Sequence, residues 1–190
     1  MAEKMTGRQT LHAVVHEVGG PAPSQDEVSA ASDAEGIVIV RVFDAPRELV
    51  FKAWTGPERF ATWFGEHGSE IPLESISMDA QPGGAWSALM IHGPERMEIP
   101  FSGKFREVEP PERVVMTLGD PGDPDSGNVE VLSADFKDLG GGRTEMTFTQ
   151  RGGNLPADEY SRAMRGSLIL FERLADHLSD DLKARHDSDS

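Results

Sequence analysis

Several residues in this sequence have types and spacings that could do chemistry. His12 and His16, with Glu17 beside them, would place two imidazoles on one face of a helix, a spacing that zinc can use. The segment around them carries no strong helix signal, so solvated tail histidines are the favoured reading. Asp120, Asp123 and Asp125 crowd one acidic stretch, which lacks the alternate-position pattern and the closing glutamate of an EF-hand calcium loop. An exposed strand connection accounts for them. His67 and His92 are candidates for acid–base work, but each stands beside a glycine at an expected loop or strand end, where a solvated histidine is commoner. Ser167, in Arg165-Gly166-Ser167, has no adjacent base. No Gly-x-Ser-x-Gly, Walker-type or dinucleotide glycine pattern occurs. No catalytic residue, metal set or cofactor is therefore assigned.

The remaining signal is apolar. Alternation puts Trp86, Ala88 and Met90 on one face of a strand, and Phe101, Gly103 and Phe105 on one face of the next. Leu132, Ala134 and Phe136, then Thr144, Met146 and Phe148, do the same later in the chain. Together with Trp63 and the helical residues Met164, Leu168 and Phe171, these side chains either line a pocket or fill a solid core. Burial of about 1.5–3 kcal/mol per side chain rewards the second outcome.

Something must hold these residues in place, and bulk composition bounds what it is. A chain of 190 residues suits one domain with tails. A hydrophobic share of 37% and a mean hydropathy of −0.41 point to polar extensions around a normal core. A formal net charge of −15 opposes both nucleic acid and anionic membrane surfaces as partners. The absence of cysteine excludes disulfides, thiolate catalysis and cysteine-based zinc sites. With no signal-peptide core and no run of transmembrane length, a cytoplasmic location is expected.

Periodicity supplies the elements. Residues 1–36 read as a mobile polar tail, although Leu11 to Val18 form an apolar patch within it. Ile37 to Phe43 are β-branched, a strand. Asp44 is placed to cap the helix that follows, with Pro46 in its first turn and Leu49, Val50, Ala53 and Trp54 at helical spacing. Gly56-Pro57 breaks it, and Glu58 to Phe64 form a second short helix. Strands follow around Ile76–Met78, 84–92, 99–108, 113–118, 131–136 and 144–148, with turn signals between them, an antiparallel meander. From Leu155-Pro156 to about Leu178 runs a helix with Tyr160, Met164, Leu168, Phe171, Leu174 and Leu178 on one face. At roughly 1.5 Å per residue it crosses a whole sheet. Residues 180–190 are a charged tail expected to fray. The class is α+β.

The ordered set of markers resembles a known family. Asp44-Ala45-Pro46 with Trp54, Asp79 through Gly83-Gly84 to Trp86, Phe101-x-Gly103 through Pro110-Pro111-Glu112-Arg113, and the Gly142-x-Thr144 hairpin are similar to homologues of the activator of the heat-shock protein 90 ATPase. These lie within the SRPBCC (START-like, helix-grip) superfamily, and the resemblance covers about residues 37–179. It implies a helix-grip fold: a curved antiparallel sheet of about seven strands wrapped around the long C-terminal helix, often with an apolar cavity between. That architecture favours a pocket, with Trp63, Trp86, Met90, Phe101, Phe105, Phe136, Phe148, Met164, Leu168 and Phe171 as its expected lining. One departure stands out: the family's last helix usually carries Gly-Trp near its start, and here the pair is Gly166-Ser167, which should enlarge or reshape the cavity. Co-chaperone activity belongs to members with a separate N-terminal domain, and residues 1–36 are too short and polar to be one.

Three functions follow as expectations. The first is binding of a small apolar or amphipathic molecule in the cavity. The second is an enzyme of cyclase, dehydratase or hydrolase type in the same cavity, which would need an inward titratable group, with Glu107, His92 or Asp135 as candidates. The third is a protein-interaction or stress-response module without ligand. An exposed Ile169 or the Leu11–Val18 patch would serve that role, or a homodimer.

Overall fold

Eight residues from Gly36 to Phe43 form the strand their β-branched run dictates, and an edge strand lies beside them. In the computed structural model, which describes residues 28–33, 36–65, 68–119, 129–153 and 156–188, this edge strand is β1 (Val28–Asp33) and the β-branched one is β2 (Gly36–Phe43). β1 pairs antiparallel with β2, from Val28 opposite Arg41 to Asp33 opposite Gly36. Residues 28–33 were expected to belong to the polar tail. They join the sheet through backbone hydrogen bonds, which need no apolar side chain, and Val28 stays 41% exposed. The expectations for residues 1–27, including His12, His16, Glu17 and the Leu11–Val18 patch, lie outside the described residues, as do those for His67 and for Asp120, Asp123 and Asp125.

After β2 come α1 (Arg47–Thr55) and α2 (Pro57–Trp63). Pro46 is the N-cap of α1, and no side chain caps it, so Asp44 does not make the expected hydrogen bond. The Pro46 carbonyl instead accepts from Leu49 and Val50. The break between the helices falls at Gly56, with Pro57 at the first position of α2, where its missing N–H is not needed.

The remaining strands are β3 (Ser69–Glu70), β4 (Ser77–Met78), β5 (Ala85–His92), β6 (Met97–Glu109), β7 (Arg113–Leu118), β8 (Glu130–Gly140) and β9 (Arg143–Gly152). They form one sheet of nine strands in the order β1-β2-β9-β8-β7-β6-β5-β3, with β4 also on β5. All pairings are antiparallel. The count exceeds seven because β1 and the two-residue β3 have no hydrophobic alternation to announce them. A register shift between Phe105 and Glu107 bends β6, which lets the sheet curl around the last element.

That element is α3, Ala157–Ser188, 32 residues long. Tyr160, Ser167, Phe171, Leu174 and Leu178 are its buried positions. It outlasts the expected end near Leu178 because Leu182 still packs on the core and Asp181 pairs with Arg59 of α2. No helix among the described residues is long and apolar enough to cross a membrane.

Three glycines shape the turn before β5 and the approach of β6 to β7. Gly83 has φ of 86° in the turn before β5, and a Cβ on Gly84 would lie 2.0 Å from the Asp79 carbonyl oxygen. On β6, a Cβ at Gly103 would lie 1.8 Å from the Thr117 carbonyl oxygen and 2.7 Å from Trp86 Nε1. Backbone cannot swing away as a side chain does. Gly103→Ala is therefore expected to cost about 3 kcal/mol or more in urea denaturation. A loss below about 1 kcal/mol would show that β6 and β7 part freely.

Candidate functional site

The site is built on the face of the sheet that the helices cover. Four aromatic rings surround Trp54 of α1: Trp63, Phe136, Phe148 and Phe171, with centroids 5.0–6.3 Å away. Trp63 is fixed by donating from Nε1 to the Ala53 carbonyl at 2.8 Å. Beside this cluster the packing stops short of filling the space, leaving a partly open recess of about 170 Å³.

Each wall has a separate origin. The sheet contributes Met90 from β5, Phe101 from β6, Met116 and Leu118 from β7, Leu132 from β8, and Phe148 and Gln150 from β9. The short helices contribute Trp54, Phe60, Trp63, Phe64 and the following Gly65. From α3 come Ala163, Gly166, Ser167, Leu170 and Phe171. Arg173 ties α3 to this rim, donating to the carbonyls of Gly65 at 2.7 Å and Thr62 at 3.0 Å, and burial lowers its pKa.

Of the residues named from sequence, the structure brings Trp63, Met90, Phe101, Phe148 and Phe171 together on the recess wall. The other five pack elsewhere. Trp86 faces Phe60 and Phe64 of the α2 region rather than α3, with ring centroids 5.9 and 6.0 Å away. Phe105 is buried in the core. Phe136 meets Phe51 and Trp54 of α1. Met164 and Leu168 are half-buried against the core and off the wall. Helical phase accounts for Leu168: counting about 3.6 residues per turn from buried Tyr160 leads to 167 and 171, whereas Met164 falls on the same count and is still only half-buried. The apolar character of Leu168 suggested otherwise.

The candidate acid–base residues also lie off the wall. Glu107 and Asp135 both pair with Arg113 and are about half exposed, with side chains at 49% and 45%. His92 is half-buried at the end of β5, opposite Ser69. Ile169 is half-buried rather than exposed.

The polar residues that do face inward escaped the sequence reading. Strand parity places Glu130 on the face of Leu132, Ala134 and Phe136, and Gln150 on that of Met146 and Phe148. Gln150 Nε2 donates to Glu130 Oε2. Burial pushes the Glu130 carboxyl above its ordinary range; the bond from Gln150 opposes that shift, and the charge of Glu159 adds to it. Extending the apolar alternation by one step on each strand would have found both residues.

A second polar cluster lies away from the recess, between α2 and the end of α3. Arg59 pairs with Asp181, and His177 Nε2 stands 3.9 Å from the same carboxylate. Burial, then the Arg59 cation, push the His177 pKa below its ordinary value. With Leu182, this clasp holds the last turns of α3 on the domain.

The sequence profile described as Activator of Hsp90 ATPase homolog 1-like protein matches residues 44–179. No curated protein matches the chain. Among solved structures, a protein from Chromobacterium violaceum is similar, with 23% identity and a TM-score of 0.64, covering 76% of this chain and 96% of that one. Another, from Nitrosomonas europaea, has 22% identity and a TM-score of 0.67, covering 78% and 96%. A third, from Staphylococcus epidermidis, has 19% identity and a TM-score of 0.67, covering 80% and 94%. At these identities the likeness is one of fold.

Proposed function

Because this chain belongs to the Activator of Hsp90 ATPase homolog 1-like family, with its START-like fold, we propose that it binds a small apolar molecule in the recess between the sheet and α3. One observation carries this: a space of about 170 Å³ with an almost wholly apolar wall stands where a well-packed core would leave none. Such a void forfeits dispersion contacts unless something occupies it.

Size narrows the occupant. Drug-sized ligands use pockets of about 300–1,000 Å³, whereas an engineered apolar cavity of about 150 Å³ takes up benzene. A single ring or a short branched chain fits here better than a sterol or polyketide. Holding is favoured over converting, because the inward carboxylate, Glu130, stands behind Gln150 and off the wall. A docking role for the surface has less support. The large exposed apolar residues among those described, Val28, Leu73 and Met97, sit on three separate elements.

Benzene and toluene test the reading by thermal shift and calorimetry. A ligand that saturates the site at 100 times its dissociation constant should add about 2.7 kcal/mol of stability. No shift and no saturable heat from any one-ring compound would overturn it.

A further inference from the structure

We infer that the recess selects a one-ring molecule bearing a hydroxyl, which donates to the Gln150 carbonyl oxygen and accepts from the Ser167 hydroxyl, with Glu130 fixing the direction of the Gln150 amide. This rests on the recess being a ligand site and adds the chemistry of what it accepts. Gln150 from β9 and Ser167 from α3 bring polar side chains to the wall from opposite sides; the indole N–H of Trp63 is already used on Ala53, and that of Trp54 is buried without a hydrogen-bond partner. Both are more than nine-tenths buried, at 6% and 7% exposure. Buried polar groups are ordinarily paired. Here the Gln150 amide nitrogen is used, donating to Glu130, while no other residue among those described bonds to its carbonyl oxygen or to the Ser167 hydroxyl.

The direction of the amide is the deciding point. A carboxylate only accepts, so Glu130 draws the NH2 end of Gln150 towards itself and leaves the carbonyl end for the recess. A wall that offers a carbonyl oxygen rewards donors and leaves acceptor-only ligands facing an unpaired buried oxygen. The hydroxyl of Ser167 can donate or accept, and the unpartnered Trp54 N–H is fully buried, so neither cancels this preference. Glu130 is thus a positioning residue that acts through Gln150, which gives a half-buried carboxylate beside an apolar recess a role.

The test compares phenol, toluene and benzaldehyde by calorimetry on the full chain. The three share a ring and differ in offering a donor, no polar group, or an acceptor alone. Phenol is expected to bind about 10- to 100-fold tighter than the other two. In Gln150→Leu the advantage of phenol over toluene should vanish while toluene still binds. In Glu130→Gln the amide can turn either way, so the gap between phenol and benzaldehyde should narrow. Ser167→Ala serves as a second variant should Gln150→Leu fail to fold, and it should lower phenol affinity selectively. Equal binding of phenol and toluene to the unaltered protein would overturn the inference and leave the recess as a purely apolar site. Failure of all three to bind would overturn both.

Discussion

Replacing Trp86 with alanine is expected to cost about 3–5 kcal/mol, the range for a large aromatic lost from a tight core. Trp86 is 2% exposed and packs against Phe60 and Phe64. Its Nε1 donates to the Thr117 carbonyl at 2.9 Å, and the missing Cβ of Gly103 leaves room for that approach. Truncation therefore opens a cavity and strips a buried carbonyl of its partner, two costs in the same direction. Domains are stable by only about 5–15 kcal/mol, so the variant should unfold at much lower urea. Ligand affinity of the folded fraction should stay near that of the unaltered protein, since Trp86 is off the recess wall. A loss below about 1.5 kcal/mol coupled to lost ligand uptake would put Trp86 on the wall instead.

Ser167→Trp should produce the opposite pattern, blocking binding while preserving the fold. Ser167 faces the recess from α3 and is 7% exposed. An indole there would fill the void and regain dispersion contacts, and cavity-filling changes commonly add about 0.5–2 kcal/mol. Toluene affinity should fall about 100-fold or more, well beyond the effect of losing one methylene contact. Melting temperature and calorimetry on the same sample check both halves. Undiminished toluene binding would show that ligands sit elsewhere. A destabilisation above about 3 kcal/mol would show that the recess cannot take the ring.

Legibility from sequence followed the kind of signal each feature carries. Ile37 to Phe43 announces a strand through its β-branched run, Trp86 to Met90 and Leu132 to Phe136 through alternation, and Gly56-Pro57 announces a helix break through steric chemistry. β1 has none of these signals, because it is held by main-chain bonds to β2 that any residue but proline can make. At the recess, apolar alternation points to Trp63, Met90, Phe101, Phe148 and Phe171 but not to Gln150 or Glu130, and Ser167 is marked only as a departure that reshapes the cavity. Burial of a polar group depends on a partner from another strand, and that partner is not visible in one segment.

Local alternation, helical spacing and turn residues act over a few positions, and they suffice for the α+β class, the family and the order of every element except β1 and β3. Which apolar side chains pack solidly and which border a void depends on how the elements come together. Trp86 and Phe105 have the same strand parity as Met90 and Phe101, yet the first pair is core and the second is wall. The difference lies in where the bend of β6, the rim at Gly65 and the phase of α3 leave space. Volume between elements is a property of their mutual placement, and no single stretch of chain encodes it.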